Sequence, residues 1–486
     1  MERHIITKSH TLYQNHQFMK NRKFLHTQIM KRFVFFVLAI ISFSMEIFSQ
    51  NKTDRSINTL EEKIYGLSLI WSEVKYNFVN IDNLDFDLDS LYRETMKRVI
   101  ETQDDVAYYK ELSCFMNKLN DAHTELIDYP ESGYEETDYP NYGTKYIDGK
   151  YYFIKYKKDC PYSDPNLLGA EIIEIDGLPT QQYVEKNVLP YITGSTQRFK
   201  LNQAGRILLN GLQGSSIQGK AQCMDGCIKT FNIIRNGEAI RREDDVWLPK
   251  EECSYYSSKA VTLNWKNDIA ILNIRRFIPE SVCNDIDKAM TEIHAHRCKG
   301  VIIDLRGNGG GITDVAWRLQ MYLTHADTIR SFGAQTRINS GYGRAQGNYR
   351  KEYEDFYLYK AYKNEPPEIV RKPKEIKALN CPVVILIDNG SFSACEDFLI
   401  NIYEMPNRSI LMGEETAGST GAPLVVELPH EAQARICTIR PLFPYSMKPF
   451  LGKGIVPDIE VIPTLNDCLT GRDIVIQKAI DLIKSY

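Results

Sequence analysis

Apolar residues recur at spacings of three and four near the start of the chain. Thr59 and Glu62 form a capping box ahead of them, so the pattern predicts an amphipathic helix. A second helical pattern covers 88–101, and a third begins after Asp104, a residue type that caps helices. The third pattern ends in the segment 119–126, LNDAHTEL, which in isolation is a helix end followed by a strand. The apolar positions of the first helix are Leu60, Ile64, Leu67, Trp71, Val74 and Phe78.

The period then changes from helical to strand-like. Residues 146–156 are aromatic and strand-forming around an Asp148-Gly149 turn. Residues 169–177, GAEIIEIDG, predict another strand that closes in an Asp-Gly turn. This middle region is therefore predicted to be mostly β.

From residue 257 onward, strand and helix patterns alternate, which is typical of an α/β domain. The segment 332–375 interrupts the series; it is rich in Tyr, Lys and Glu and has no clean period. We interpret it either as a lid that contacts substrate or as a solvated insertion. The predicted strands are 269–274, 301–305, 383–387 and 410–412, and the predicted helices are 282–296, 314–323 and 394–403.

A serine stands where one of these buried strands becomes a helix. The apolar run 382–388 is broken by Asn389-Gly390, and the helical pattern begins near Ser393. Unpaired N–H groups at a helix start stabilise developing negative charge, so Ser393 is a candidate nucleophile. Alternatively, Ser393 is only an N-cap, because Glu396 three residues later completes a capping box.

A glycine-rich loop follows the predicted strand 301–305. Four glycines in five positions, within 307–311, allow backbone N–H groups to converge on a ligand, as in an oxyanion hole. A nucleotide site is less consistent with the residues. No phosphate-binding loop motif is present, and the dinucleotide fingerprint fails at Ile312. Ser393 is not in a G-x-S-x-G elbow either.

Four motifs in order resemble those of the C-terminal processing (tail-specific) proteases, peptidase family S41. They are DLRGNGGG, SFSACE, GEETAGSTG from Gly413 and GKGIVPDIEV from Gly452. The resemblance covers roughly Asn58 to the C-terminus and is closest to the branch with tricorn protease and the nisin-resistance protease. It implies a crotonase-like βα spiral as the catalytic domain (257–486), a PDZ-like β domain (128–256) and an N-terminal helical domain (51–127). The middle domain lacks a clear carboxylate-binding loop, so it is either a peptide-capture module or a spacer.

The resemblance also assigns roles at the site. It implies Ser393 as the nucleophile, and as oxyanion donors the amides of Ala394 and Gly310, with Gly309 as the alternative. Glu396 matches a recurrent acidic residue and receives a supporting role, either beside the dyad or as a helix cap. Cys395 is a formal alternative nucleophile, but a free cysteine at such a turn is expected to pack inward.

The residue expected to act as the general base differs from the one in the commonest family pattern. Many members carry a lysine in G-E-x-T-x-G-K-G, and Ser419 stands at that place here. Either the protein is inactive, or it uses the histidine of an Asp-x-His-Thr motif, as the tricorn-like branch does. Residues 121–124 match that motif and make His123 the expected base, although tricorn's additional serine is Ala122 here. Should His123 not serve, the base is to be sought among lysines such as Lys448 and Lys453.

Composition and charge limit the kinds of partner and cofactor that the chain is expected to bind. The chain has 486 residues, a formal net charge of -4 and mixed charges, which argues against a nucleic-acid partner. Eleven cysteines without framework spacing argue against a disulfide scaffold. Cys223 and Cys227 have no second ligand pair, so a local disulfide or burial is favoured over zinc. We predict a polypeptide substrate and no metal or cofactor.

The first fifty residues have the three parts of a signal peptide. Lys31-Arg32 precede the apolar run Phe33 to Phe43, and small and polar residues follow up to Gln50. Translation beginning at Met30 would fit this pattern. We predict processing near Asn51 and a periplasmic or secreted bacterial protein without stable membrane insertion; the rival interpretation is an uncleaved anchor.

Two functions follow from these observations. The first is an exported serine endopeptidase with a Ser393–His123 dyad, in which a histidine of ordinary pKa, about 6.5, makes kcat/KM fall near pH 6–7. The second is a non-catalytic protein of the same fold that binds a peptide or an apolar ligand, as retinoid-binding relatives do.

Overall fold

A computed structural model describes residues 57–486 except 136, 139, 159, 161–162, 236–245, 250–258, 297, 338–354 and 356–357. Residues 56–486 form one compact unit. The predicted signal peptide, 1–50, lies outside the described residues. Among the residues that are described, no helix is long and apolar enough to cross a bilayer.

The three predicted N-terminal helices are confirmed. Thr59 and Glu62 form the capping box of the first helix, and Asp104 accepts a hydrogen bond from Ala107 N–H at the start of the third. The predicted apolar face is shifted: Leu60 is exposed, whereas Ile70 is fully buried. The bounds are α1 Leu60–Asn77, α2 Leu88–Glu101 and α3 Asp105–Asn117, followed by strand β1 Glu125–Asp128.

The middle region is a mixed sheet and helix unit. The hairpin around Asp148-Gly149 is present, as is the strand that ends at Asp176-Gly177. Two helices were not predicted, so this region is less purely β than the sequence indicated. Its elements are β2 Thr137–Asp138, β3 Tyr142–Ile147, β4 Lys150–Lys157, β5 Glu171–Ile175, β6 Leu178–Pro179, α4 Thr180–Asn187, α5 Gln197–Ile207, β7 Gly211–Leu212, β8 Ser216–Gln222, β9 Ile228–Ile234 and β10 Trp247–Leu248.

The C-terminal half contains the sheet that carries the candidate site, and the predicted alternation of strands and helices is confirmed. Its bounds are β11 Val261–Lys266, β12 Ile269–Ile274, α6 Val282–Ala295, β13 Gly300–Asp304, α7 Thr313–Met321, β14 Thr328–Arg330, β15 Gly333–Arg337, β16 Tyr362–Glu365, β17 Ile369–Arg371, β18 Val383–Ile387, α8 Ala394–Tyr403, β19 Ile410–Gly413, β20 Pro423–Glu427, β21 Gln433–Cys437, β22 Arg440–Leu442, β23 Ile459–Glu460, α9 Leu465–Thr470 and α10 Ile474–Lys484.

Six strands form this sheet in the order β11-β12-β13-β18-β19-β23. All neighbours are parallel except the β11–β12 pair. Parallel strands end at one edge, so the loops after β13 and β18 meet there. The segment 332–375, predicted to lack periodicity, contains β15, β16 and β17 at its described ends.

The helical region does not have a core of its own. Its buried residues Leu67, Val74 and Phe115 share one cluster with Ala434 and Ile436 of β21. Strands β1, β21 and β20 form a small sheet that joins the two halves of the chain. This sheet fixes the segment after α3 against the C-terminal half, and the candidate site depends on that placement.

Candidate active site

Ser393 lies at the turn between β18 and α8 in an unusual backbone conformation. Its φ is 58° and its ψ is -128°, a region that costs a non-glycine residue on the order of 1–3 kcal/mol. The backbone is held on both sides: Ser393 N–H donates to Ser419 O at 3.1 Å, and Ser393 O accepts from Glu396 N–H at 2.7 Å. The Ser393 side chain makes no capping hydrogen bond. The capping-box alternative is therefore wrong, and the hydroxyl is available for another partner.

His123 lies in the turn between α3 and β1. Asp121 Oδ1 accepts hydrogen bonds from His123 N–H at 2.8 Å and from the Thr124 hydroxyl at 3.1 Å. Thr124 in turn accepts from Cys437 N–H of β21 at 2.9 Å. Asp121 and Thr124, the first and last residues of the Asp-x-His-Thr motif, therefore fix the turn. The imidazole of His123 is left free to point away from it.

The imidazole bridges two serines that are remote in sequence. His123 Nε2 is 3.0 Å from Ser393 Oγ, and His123 Nδ1 is 2.9 Å from Ser419 Oγ. The Phe392 ring stacks on the imidazole with a centroid distance of 4.7 Å and an interplanar angle of 8°. If Nδ1 carries the proton and donates to Ser419, Nε2 is left to accept the Ser393 hydroxyl proton. This arrangement can activate Ser393 as a nucleophile.

Burial changes the acid–base behaviour expected of His123. The residue is 2% exposed, and burial, with a smaller contribution from Arg435, lowers the pKa of His123 to about 3. The imidazole is therefore neutral, and able to accept a proton, well below pH 6. The expectation that activity falls at pH 6–7 rested on an unperturbed histidine; the burial of this side chain instead predicts that the fall lies at lower pH.

Glu396 does not touch His123. The oxygens of its carboxyl group accept hydrogen bonds from the Thr416 hydroxyl and, each at 2.8 Å, from the N–H groups of Gly418 and Ser419. Burial raises the pKa of Glu396 to about 8, although these three donors act to lower it. Glu396 is thus a buried clamp on the loop that carries Ser419. Neither of its two predicted roles, hydrogen bonding beside the dyad or capping the helix, describes this geometry fully.

The glycine loop is braced by polar residues of the same motif. Asn308 donates through Nδ2 to Ile274 O at 3.1 Å, and its backbone O accepts from Phe392 N–H at 3.0 Å. Arg306 contacts both Asp304 and Asp473 beneath the loop. Burial alone would raise the pKa of Asp304, but Arg306 and Arg275 beside it lower it overall. These contacts hold the loop against the nucleophile turn.

The candidate oxyanion donors lie together at this junction. Gly310 has a φ of +84°, and a Cβ there would lie 2.6 Å from Ala394 N and 2.8 Å from Ser393 Cβ. Gly310 N–H, however, donates to Asn308 Oδ1 at 2.9 Å. Within the described part of the chain, the N–H groups of Ala394 and Gly309 have no protein acceptor. This hydrogen bonding favours Gly309, the alternative, over Gly310 as the second donor.

The other candidate nucleophile and bases lie elsewhere. Cys395 is fully buried in α8, as expected of an inward-packing cysteine, and burial raises its pKa well above the usual range. The side chains of Lys448 and Lys453 are exposed, and neither has a hydrogen bond to Ser393 among the described residues. Of these candidates, the geometry brings only His123 to the serine.

Sequence reasoning missed the roles of Ser419 and Asn308. Ser419 was noted only as the residue that stands in place of a lysine, and its contact with His123 spans 296 positions of the chain. No local pattern could have revealed that contact. Asn308 was the one polar residue among the glycines, and that position was a usable signal of a brace.

Comparison with known proteins finds a family whose model matches part of this chain. Residues 268–461 match the model of a family described as Peptidase family S41. We call residues 268–461 the S41 domain, after the family model that they match. It includes the glycine loop, Ser393 and the loop 413–420, whereas His123 lies outside the matched residues.

Curated relatives match beyond the S41 domain. A probable CtpA-like serine protease of Staphylococcus saprophyticus is 22% identical over 365 residues, which cover 71% of this chain and 65% of the relative. A carboxy-terminal-processing protease of Bartonella bacilliformis is 23% identical over 317 residues, covering 62% of this chain and 64% of the relative. The chain thus spans just under two thirds of the length of each of these relatives.

Solved structures share the fold. Mature CPAF complexed with lactacystin has a TM-score of 0.64 at 15% identity, and the match covers 88% of this chain and 99% of that one. A second structure of mature CPAF has a TM-score of 0.62 at 14% identity, and the match covers 87% of this chain and 96% of that one. The mixed α/β fold of the S41 domain and its neighbouring regions is therefore found in solved proteins.

Proposed function

We propose that this chain is a serine endopeptidase that cleaves polypeptides through an acyl-enzyme on Ser393. The observation that carries the proposal is the 3.0 Å contact between Ser393 Oγ and a buried His123 Nε2 whose other ring nitrogen has its own partner. The match to Peptidase family S41 and the relatives named as serine and carboxy-terminal-processing proteases support the reaction class.

The chemistry proceeds in two halves. Ser393 Oγ attacks the scissile carbonyl while His123 Nε2 takes the hydroxyl proton, and the N–H groups of Ala394 and Gly309 or Gly310 stabilise the oxyanion. Collapse breaks the C–N bond, and His123 returns the proton to the leaving amine. A water molecule then attacks the ester and gives a proton to His123; the C–O bond to Ser393 breaks, His123 returns that proton to Ser393 Oγ, and the second product leaves as a carboxylic acid. No step needs a metal or cofactor.

The regions outside the S41 domain have proposed roles as well. Substrate lies between the helical region and the catalytic sheet, because the base comes from the former and the nucleophile from the latter. The alternation of parallel strands and helices supports a crotonase-like βα spiral for 257–486. We retain 51–127 as the helical domain and 128–256 as a PDZ-like domain, of which the hairpins support the β character.

Export is part of the proposal. It rests on the signal-like order of basic, apolar and small residues within 1–50. Intact-mass analysis of exported protein should find an N-terminus near Asn51. A mature chain that retains Phe33 to Phe43 would instead indicate an anchor.

Fluorophosphonate labelling tests the nucleophile. The folded chain should be labelled at Ser393, with the site mapped by mass spectrometry, and Ser393→Ala should abolish labelling without changing the melting temperature. His123→Ala should reduce peptide hydrolysis about as much as Ser393→Ala, because members of such a dyad act as a unit. A folded wild-type protein that is neither labelled nor active would favour the binding-protein alternative.

A further inference from the structure

Two cysteines lie side by side at the end of the catalytic sheet opposite the site. Cys298 precedes β13 by two residues, and Cys381 precedes β18 by two residues. Their Sγ atoms are 3.8 Å apart, although the residues are 83 positions apart in the chain. These are the two strands that lead into the glycine loop and the nucleophile turn.

The strand register explains the contact. Val301 pairs with Val383 in the parallel ladder, and Val301 N–H donates to Pro382 O at 3.0 Å. Continued two residues back, this register places Cys381 opposite Lys299, one residue beyond Cys298. An ideal ladder, with about 4.8 Å between strands and about 3.3 Å per residue, would place the two Cα atoms about 5.8 Å apart if it continued to these positions. Disulfides most often have Cα separations of about 5.5–6 Å.

The surroundings permit reaction without unfolding. Both side chains are half-buried and pack at the margin of the main hydrophobic cluster. The sulfur atoms are already in van der Waals contact, so a change of side-chain torsion brings them to bonding distance. Burial, followed by the neighbouring Cys298, raises the pKa of Cys381 to about 12, so this thiol stays protonated at neutral pH. Thiol–disulfide exchange also proceeds through a thiolate, so a protonated Cys381 makes closure slow in the absence of added oxidant.

We propose that Cys298 and Cys381 form a disulfide that links the starts of β13 and β18 when the protein meets a thiol oxidant. The oxidant is a disulfide, either a small one such as oxidised glutathione or a thiol-oxidase protein. Two S–H bonds break, one S–S bond forms between the cysteines, and the donor's S–S bond is reduced to two thiols. Two electrons and two protons pass to the donor, so the step balances.

The cross-link stabilises the fold without altering the site. It closes a long loop that contains the whole glycine motif, and long loops gain most from closure because the unfolded chain is restricted. Five-residue strands of about 17 Å separate the sulfurs from the catalytic edge. Reduction should therefore lower the melting temperature while kcat/KM stays within about twofold.

The chain supplies an internal control. Cys223 and Cys227 flank the tip of the β8–β9 hairpin, where Cys223 N–H donates to Cys227 O at 2.8 Å. A bond between them would close a loop of only a few residues and would stabilise the fold little. Substituting this pair leaves any effect of Cys298 and Cys381 in place.

Peptide mapping of the folded protein tests the proposal. Full-length protein is treated with oxidised glutathione, alkylated with iodoacetamide and digested without reductant. We expect a pair of peptides joined through Cys298 and Cys381, with a mass two hydrogen atoms below the summed masses of the two free peptides. Oxidised protein and the Cys223→Ser/Cys227→Ser variant should each lose about 5 °C in melting temperature on reduction, whereas Cys298→Ser/Cys381→Ser should not.

Three results would overturn the inference. Full alkylation of both cysteines in oxidised, folded protein would show that the pair does not close. Pairing of either cysteine with a different partner would assign the bond elsewhere. A linked peptide without any change in melting temperature would remove its stabilising role. The mapping uses the unaltered chain, so it decides the first two even if the serine variants fold poorly.

Discussion

The hydroxyl of Ser419 is predicted to set the tautomer and orientation of His123. It is the protein partner of Nδ1, at 2.9 Å, and it stands where many S41 peptidases carry a lysine. Replacing Ser419 with valine removes the acceptor and fills its place with methyl groups. Threonine has nearly the same volume and keeps the hydroxyl, so the two variants form a matched pair.

The magnitude follows from the burial of the imidazole. A buried donor left without an acceptor costs about 1–3 kcal/mol, and each 1.36 kcal/mol corresponds to a tenfold change in rate. Ser419→Val should therefore lower kcat/KM about 5- to 150-fold relative to Ser419→Thr. We expect Ser419→Ala to fall between them, because Ser419 borders a cavity of about 320 Å³ and a water molecule would take the place of the lost hydroxyl.

The assay compares hydrolysis of one peptide and the rate of fluorophosphonate labelling. We expect the loss in kcat with little change in KM, since Ser419 contacts the base and not the substrate. Labelling of Ser393 should slow by a similar factor, because it needs the same base. Melting temperatures of the threonine and valine variants serve as the control for folding.

Two outcomes would refute this reasoning. Equal activity in folded threonine and valine variants would show that the Nδ1 contact does not position the base. Equal loss in both variants, accompanied by a large fall in melting temperature, would show that Ser419 acts through packing of its loop.

The remaining predictions concern the same residues. Since burial lowers the pKa of His123 to about 3, kcat/KM should not fall between pH 7 and pH 5; a limb near pH 6.5 would show an ordinary histidine. Gly309→Pro, which removes an N–H, should lower kcat about 10²–10³-fold, whereas Gly309→Ala should keep a kcat near that of the wild type. An active proline variant would indicate that Gly310, and not Gly309, is the second oxyanion donor. Glu396 has a folded pKa of about 8 against an ordinary value of 4.5, so its stabilisation is lost as pH rises between these values. Urea unfolding at pH 5 and pH 8 should show a smaller change for Glu396→Gln than for wild type; an equal change would contradict the assignment.

The structure changes the expectation for valine at Gly310. From the sequence, Gly310→Val should impair turnover far more than stability. A Cβ at this position meets backbone atoms of Phe392 and Ala394 at 2.6 Å, and the φ of +84° is unfavourable for valine. Both activity and melting temperature should therefore fall, which is why Gly309 is the more informative position.

Elements with strong local signals could be predicted from the sequence. The helix Ala394–Tyr403 and the strands Ile269–Ile274 and Val383–Ile387 have the predicted bounds, because buried runs bounded by turn residues specify them. The helices Thr180–Asn187 and Gln197–Ile207 were missed because their mostly polar sequences show little periodicity. The face of the first helix was shifted because β21 packs on it from more than 300 positions away, which no helical period encodes.

The features of the candidate site also fall into two groups: residues that a local motif identifies and contacts that only the fold creates. Ser393, His123 and the glycine loop could be named because each lies in a local motif that matches the family. The contacts of Ser419 with His123 and of Glu396 with Gly418 and Ser419 could not be inferred from sequence. They form only when the loops after α3, β18 and β19 meet at one place.

These long-range contacts explain how a strained serine can persist without a lysine at the site. Ser393 holds a costly backbone conformation, and its N–H is bound by Ser419 O, while Ser419 N–H is bound by the Glu396 carboxylate. Glu396 itself is carried on the helix that Ser393 begins, so nucleophile turn and loop restrain each other in a closed set of hydrogen bonds. Position 419 carries a serine and not the lysine of the commonest family motif. The role that we propose for Ser419 passes through His123, and Glu396 holds the loop that presents the Ser419 hydroxyl to the helix that follows the nucleophile.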